Sequence, residues 1–228
     1  MGILFLGGDL ELFEAGFSPI TVPCVLLTNT ARELGFGNLS SFTTDDGAAA
    51  EQVIELLARR GHRHIGLLGG NWSCTQIAHC RLMGCRRACV RLGIPFEDRQ
   101  CEPCRYSMPE AYAATRRLLE RCPELTAIFA VSDVMAMGAI RAIRDMDRRV
   151  PEDVSVVGFD GISMSDYLVP RLATVHQNTQ HMAERGVDVL LRSIERGSQT
   201  LHEVVPFQLI PGESVARPAR SVRDASAS

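Results

Sequence analysis

The sequence predicts an α/β fold with mostly parallel sheets. Short apolar runs that read as buried strands alternate with amphipathic stretches in which apolar residues recur at helical spacing. This alternation of strand and helix is typical of parallel sheets covered by helices. In such sheets ligands bind outside the carboxyl ends of the strands, so polar residues that directly follow a strand are candidates for a binding site.

Each element follows from a local pattern. Apolar runs predict strands at residues 2–7, 23–28, 64–70, near 98–103, 127–131, 154–159 and 204–210. Helices are predicted from a cap at Asp45 or Asp46 to Gly61, from about Cys74 to Leu92, from Ser107 to about Cys122, after Ser132 through Ile143, and over Ala183–Ile194. Ser107 and Glu110 form a capping box, which indicates a helix start.

The composition is that of an ordinary globular protein. The 228 residues are enough for one large domain or two small ones. The formal net charge of −3 gives no general reason to expect nucleic-acid or membrane binding. No apolar run reaches the roughly 18 residues of a transmembrane helix, and the apolar N-terminus lacks the basic region of a signal peptide. We therefore predict a cytoplasmic protein.

Eight cysteines raise the question of disulfides or metal binding. In the reducing cytosol thiols are expected instead, and Cys85 and Cys89 share one face of a predicted helix as small, buried side chains. Cys101 and Cys104 form a lone CxxC pair, whereas a zinc site requires a second pair at matching spacing. We predict no metal site and no cofactor.

The stretch VPEDVSVVGFDG contains the main candidate for ligand binding. Its apolar strand runs directly into one carboxylate, Asp160, which faces whatever lies beyond the sheet. Ser132 and Asp133 likewise follow a predicted strand, and so does Trp72. Polar groups at several strand ends can converge on one crevice. Asp133 is interpreted as a favourable charge at the N-terminus of the helix that Ser132 caps.

Five motifs in order resemble the effector-binding core of the lac-repressor (LacI/GalR) family of bacterial transcription regulators. They are RRGHRHIGLLGG (59–70), CRLMGC (80–85), AIFAVSDVMAMGAIRAI (127–143), RVPEDVSVVGFDGI (149–162) and YLVPRLATVHQN (167–178). The resemblance runs from about Gly2 to Pro211. It implies a periplasmic-binding-protein-like fold of type I, with two Rossmann-like parallel-sheet subdomains that close over a small effector.

The resemblance also implies how the chain is divided. Residues 1–61 and 176–204 would form the N-terminal subdomain, residues 62–175 and 205–217 the C-terminal one, and residues 218–228 a disordered tail. The helix-turn-helix head and the first part of the N-terminal subdomain have no counterpart here, so that subdomain is expected to be incomplete, with open sheet edges. We expect either a longer natural protein with a misplaced start, or a fragment.

Asp160 and Arg81 match the family's effector-binding carboxylate and arginine. A carboxylate can accept two sugar hydroxyl protons at once, and the planar guanidinium can donate to two ligand oxygens or pair with Asp160 in the empty site. Asp160 as a cap for the following loop, and Arg81 as a surface helix arginine, remain the alternatives.

Four further residues fall where the resemblance implies effector contacts. Tyr106 matches a ring-stacking aromatic, with a packing role beside the capping box as the alternative. Trp72 would be a second aromatic side chain on which the ligand stacks, and the alternative is that it anchors its own loop. Ser132 is a polar contact or only the helix N-cap, and Gln177 reaches the effector or forms a hinge hydrogen bond.

These residues predict the sensing domain of a transcription regulator rather than an enzyme. It would bind a small sugar-like or nucleoside-like effector in the cleft between the subdomains and act on operator DNA through the head that is absent here, as a homodimer without membrane contact. The alternative is a sugar-binding solute receptor of a transporter, which would need a signal peptide. No nucleophile elbow, P-loop or GxGxxG motif is present, so no catalytic residue is predicted.

Overall fold

The computed structural model of the protein describes residues 1–8, 10–69, 77–197 and 199–218, and it has the predicted α/β class. The strands are β1 Ile3–Leu6, β2 Cys24–Leu27, β3 Leu39–Thr43, β4 Ile65–Leu68, β5 Cys101–Glu102, β6 Ala127–Ala130, β7 Ser155–Asp160, β8 Ala173–Gln177, β9 His202–Val204 and β10 Phe207–Ile210. The α-helices are α1 Leu10–Gly16, α2 Asp46–Arg59, α3 Ile77–Leu92, α4 Met108–Arg121, α5 Asp133–Asp145 and α6 Thr179–Arg196.

The strands form two sheets. One has four strands in the order β1-β2-β3-β9, and every neighbouring pair in it is parallel. The other has six strands in the order β10-β8-β7-β6-β4-β5, and its pairs from β8 to β5 are parallel. The prediction of mostly parallel sheets with intervening helices is confirmed.

The chain divides into two compact units. Among the described residues, the first unit contains 1–46, 77 and 177–208, and the second contains 47–69, 78–176 and 209–218. In this division the chain passes between the units five times, two of these passages being on either side of the single described first-unit residue Ile77.

These units differ from the predicted subdomains in the placement of α2, which was assigned to the N-terminal part. In the structure α2 belongs to the second unit because it packs against α3. Glu51 binds Arg87 at 2.8 Å, and Glu55 binds Arg91 at 2.8 Å. Gly84 lets the two helices approach closely, since a Cβ there would lie 3.0 Å from that of Ala50.

The first unit builds its core on the two faces of the four-stranded sheet. On one face Val25, Leu27 and Phe42 pack against Met182 and Val189 of α6. On the other face is a cluster of aromatic and aliphatic side chains, whose buried members are Phe17, Cys24, Leu26, Ala31 and Leu39. The strongly amphipathic α6 thus covers one face, and the segments around α1 cover the other.

The second unit has the more completely buried sheet. Every residue of β4 and β6 is buried, and so are the first five residues of β7. Phe129 of β6 and Phe159 of β7 are both fully buried, with ring centroids 6.4 Å apart. Helices α4 and α5 cover the sheet and pack closely against each other. Gly138 of α5 permits this approach, because a Cβ at that position would overlap the Met108 carbonyl oxygen of α4.

Some elements were not predicted from the apolar pattern. β3 was missed because its sequence LSSFT contains two serines, yet all five residues are buried. The hydroxyl of Ser40 accepts from Leu201 N at 3.1 Å and that of Ser41 from Ala31 N at 3.0 Å, so burial leaves both satisfied. The helix α1 and the strand β8 were also missed.

Other predictions differ in extent. The predicted strand at 204–210 is two strands, β9 and β10, one in each sheet. The predicted tail at 218–228 lies outside the described residues, except for Pro218. In the part of the chain that the structure describes, no helix is both long and apolar enough to cross a membrane.

Candidate functional site

The candidate site lies at the carboxyl edge of the six-stranded sheet. β6 and β7 are parallel neighbours, so the residues that follow them emerge at the same edge. Ser132 follows β6 after one intervening residue, and Asp160 is the last residue of β7. The sequence-based expectation that polar groups gather at these strand ends therefore agrees with the sheet order.

Arg81 of α3 is buried at this edge, with 4% of its surface exposed. Its guanidinium carbon lies 3.4 Å from the centroid of the Phe159 ring, an arrangement that stabilises a buried cation by cation–π attraction. Its Nη1 donates to the carbonyl oxygen of Val131. Arg81 is not a surface arginine.

The contacts of Arg81 bring three predicted residues together. Phe159 directly precedes Asp160, and Val131 directly precedes Ser132. A single guanidinium thus touches the backbone or ring immediately before each of the two polar strand ends. The role of these residues toward a ligand stays a prediction.

Asp160 has an unusual backbone conformation. Its φ is +117°, a backbone conformation that residues other than glycine rarely adopt, and Gly161 follows with φ +71°. Such a conformation costs on the order of 1–3 kcal/mol and persists only where the surroundings enforce it. A Cβ on Gly161 would lie 2.6 Å from the His176 Cα, so this turn also requires glycine.

Asp133 accepts hydrogen bonds from the loop that follows Asp160. It is the first residue of α5, as predicted, but it is also fully buried. Its Oδ2 accepts from the Ile162 backbone N–H at 2.9 Å and from the Ser165 hydroxyl at 2.8 Å, and its Oδ1 accepts from the Thr174 hydroxyl at 2.5 Å. Burial raises the pKa of Asp133, and these hydrogen bonds oppose the rise.

Ser132 has the N-cap role that the sequence left open. Its hydroxyl accepts from the Met135 backbone N–H at 3.2 Å, and the residue is 3% exposed. This satisfies one of the amide groups that the first turn of α5 leaves without a helical partner. A second role toward a ligand is not tested by this geometry.

Gln177 ends β8 and belongs to the first unit. It is 7% exposed, and its Oε1 accepts from the Thr44 hydroxyl at 2.9 Å. Both residues lie within two positions of points where the chain passes between the units. This geometry fits the hydrogen-bonding alternative, and an effector contact remains a prediction.

The two aromatic candidates remain predictions as ligand contacts. Tyr106 lies between β5 and α4, and 54% of its surface is exposed. Its exposure makes the ring available to a partner but does not identify one. Trp72 lies outside the described residues.

Of the CxxC pair, Cys101 is buried and Cys104 is partly buried. Burial raises the pKa of Cys101 to about 12 and that of Cys104 to about 11, so both are protonated thiols at neutral pH. No disulfide joins any two of the seven cysteines in the described ranges. No group of three potential metal ligands occurs among the described residues.

Two participants were not identified from the sequence. Phe159 was interpreted only as part of an apolar strand. Asp133 was interpreted as a polar residue after a strand and a favourable charge at a helix start, but not as an acceptor for the loop after Asp160. The sequence does contain one indication of the buried position of Asp133. Gly158 interrupts the apolar run of β7, and a Cβ at that position would overlap Asp133 Oδ1. Only the strand register reveals that connection.

Comparison with known proteins agrees with this architecture. A family model described as "Periplasmic binding protein-like domain" matches residues 54–215. The HTH-type transcriptional regulator MalR of Clostridium butyricum is 34% identical over 221 residues, which are 93% of this chain and 64% of MalR. The regulator CelR of Thermobifida fusca is 32% identical over 150 residues, 66% of this chain and 44% of CelR.

A solved structure shows the same fold. The transcriptional regulator CelR–cellobiose complex superimposes with a TM-score of 0.81 and 29% identity, covering 93% of this chain and 65% of that one. The chain spans less than two thirds of the length of these relatives. The chain belongs to the periplasmic binding protein-like domain family, in the form found in LacI-type transcriptional regulators.

Proposed function

We propose that this chain is the effector-sensing domain of a LacI-type transcription regulator. The observation that supports this most directly is the placement of a buried guanidinium, Arg81, between the residues that precede Ser132 and Asp160. A fixed carboxylate and a fixed planar donor are the groups that a polyhydroxylated molecule needs for oriented binding. The named relatives are regulators, which favours this function over a transporter receptor.

We infer a sugar-like effector. The CelR structure contains cellobiose, a ligand of that protein, and the residues at the sheet edge here combine an anionic acceptor with a cationic donor. Regulation would follow if the effector bound one conformation of the chain more tightly than another, since only that difference shifts a population. The position of the effector between two subdomains stays a prediction.

The remaining parts of the proposal follow from the family resemblance of the sequence. We infer a homodimer in the cytoplasm that acts on operator DNA through a helix-turn-helix region of a longer chain. We infer no catalytic activity, since the relatives it matches are named as transcriptional regulators. Gel-filtration with light scattering tests the dimer separately from ligand binding.

The ligand test uses Asp160→Asn. The 228-residue chain is titrated calorimetrically with cellobiose and with a panel of other mono- and disaccharides. For a sugar that binds, Asp160→Asn is expected to weaken binding by roughly tenfold or more, because a carboxylate forms stronger hydrogen bonds than an amide. Its circular dichroism spectrum is expected to match that of the wild type.

The matched control is Asp145→Asn. Asp145 lies at the other end of α5 and binds Arg141 at 3.0 Å on the surface, so this change removes a carboxylate away from the site. Sugar affinity should be unchanged. Failure of every sugar at millimolar concentration would contradict the sugar class, and wild-type affinity in Asp160→Asn would contradict the site.

A further inference from the structure

The loop after β7 begins with a backbone conformation that needs support. Asp160 and Gly161 both have positive φ, and the 3₁₀ helix Ser163–Tyr167 follows. Residues at strained positions stay there only when neighbouring groups determine their backbone. Asp160 therefore needs a neighbouring group that fixes its backbone conformation.

Hydrogen bonds from this loop converge on one carboxylate. Asp133 accepts from Ile162 N at 2.9 Å and from the Ser165 hydroxyl at 2.8 Å. Two of the five residues that follow Asp160 therefore bond to Asp133. On its other oxygen, Thr174 of β8 donates at 2.5 Å.

The neighbouring strand is shaped to admit this carboxylate. Gly158 lies two residues before Asp160 in β7, and any side chain at that position would overlap Asp133 Oδ1. The same Cβ would also lie 2.9 Å from Leu172 Cδ2. Burying a carboxylate whose hydrogen-bond donors are all neutral costs desolvation free energy. The hydrogen bonds that Asp133 accepts must therefore offset this cost.

We propose that Asp133 is a positioning residue for the effector site: its carboxylate holds the loop 161–165 and thereby sets the backbone of Asp160. Asp133 does not itself touch the effector. This inference rests on the proposed function only for its last step, from the position of Asp160 to ligand affinity. The first step, the holding of the loop, concerns the unliganded chain.

The first step is tested with Asp133→Asn by hydrogen–deuterium exchange and mass spectrometry. The amide places an NH₂ group against donors that need an acceptor, so peptides covering 160–165 should exchange roughly tenfold faster or more. Peptides from β4 and β6 should exchange at the wild-type rate. Unchanged exchange at 160–165, or an equal increase throughout the second unit, overturns the proposal.

Two further variants keep the test decisive. If Asp133→Asn does not fold, Ser165→Ala removes one donor from the loop, and about two- to fivefold faster exchange is expected in the same segment; no change there overturns the proposal. Asp145→Asn removes an exposed carboxylate from the same helix, and should leave exchange at 160–165 unchanged.

The second step is tested by titration with a sugar that the wild type binds. Asp133→Asn should weaken affinity by roughly tenfold, and in an Asp160→Asn background it should cause little further loss, because the two residues act through one position. Additive losses, or wild-type affinity, overturn the step. If the wild type binds no sugar, the proposed sugar effector is contradicted, while the exchange result still decides the first step.

Discussion

The two units differ in how completely they bury their first strands. In the second unit β4 and β6 contain only buried residues. In the first unit β1 contains none, and α1 has no buried residue. Leu6 and Leu12 are 79% and 73% exposed.

This difference matters for function because the candidate polar residues follow the buried strands. A closely packed sheet has few alternative side-chain arrangements, so groups at its carboxyl edge are held in position before a ligand arrives. Arg81 on Phe159 and the loop bound to Asp133 are both of this kind.

The largest expected effect is a difference in unfolding free energy between side-chain truncations in the two units. Phe129→Ala in β6 should lower the free energy of unfolding by about 3–5 kcal/mol, since it leaves a cavity in a fully buried position. The control, Leu6→Ala in β1, should change it by less than about 0.5 kcal/mol because that side chain is exposed. Urea unfolding followed by circular dichroism measures both. Equal losses would show that the burial contrast does not govern stability.

The second prediction uses a histidine from each unit. Burial lowers the pKa of His62 in the second unit, where its ring contacts Thr126 Oγ1 at 2.9 Å and the Ala216 carbonyl at 2.9 Å. The folded chain therefore binds this proton less readily than the unfolded chain, whose imidazole pKa is about 6.5. Stability should fall as the pH decreases through and below that value, with a slope of at most about 1.4 kcal/mol per pH unit from this group.

The control for that pH dependence is His202. Burial and Arg32 also lower its pKa, but His202 is only partly buried, and it bonds to Ser41 Oγ at 2.8 Å. Thermal unfolding between pH 5 and pH 8 should therefore lose more of its pH dependence in His62→Gln than in His202→Gln. The reverse order would mean that the first unit controls acid sensitivity.

The smallest effect concerns the Thr44–Gln177 hydrogen bond. Thr44→Val removes the donor to Gln177 Oε1 in a buried position and should cost about 1 kcal/mol of unfolding free energy. Thr30→Val is the control, since Thr30 is exposed and its hydroxyl only accepts from Arg32 N at 3.5 Å. Differential scanning calorimetry compares the two. A loss in Thr30→Val as large as in Thr44→Val would contradict a specific role for this bond.

Much of the architecture followed from local patterns. The capped helix starts at Ser107 and Ser132 were correct, because each hydroxyl accepts from the backbone N–H three residues later. Apolar runs located the central strands of the second unit. β3 was not predicted in this way, because its buried Ser40 and Ser41 accept hydrogen bonds from backbone N–H groups outside the strand.

The placement of α2 shows a different limit. Its apolar periodicity identified the helix but not the unit to which it belongs. That choice depends on ion pairs with Arg87 and Arg91 and on the absence of a side chain at Gly84, all on another helix. Long-range partners of this kind do not appear in any local window of sequence.

The sequence by itself determined the fold class, most of the strands and helices, and the strand-end candidates Asp160 and Ser132, because periodicity, capping and strand ends are local properties of the chain. Arg81 became a candidate through the family resemblance of its motif. Only the tertiary structure decided that Arg81 lies on Phe159 and that Asp133 holds the loop after Asp160. The physical reason is that buried charges take their partners from whichever residues the sheet register brings within about 3 Å, whatever their separation along the chain.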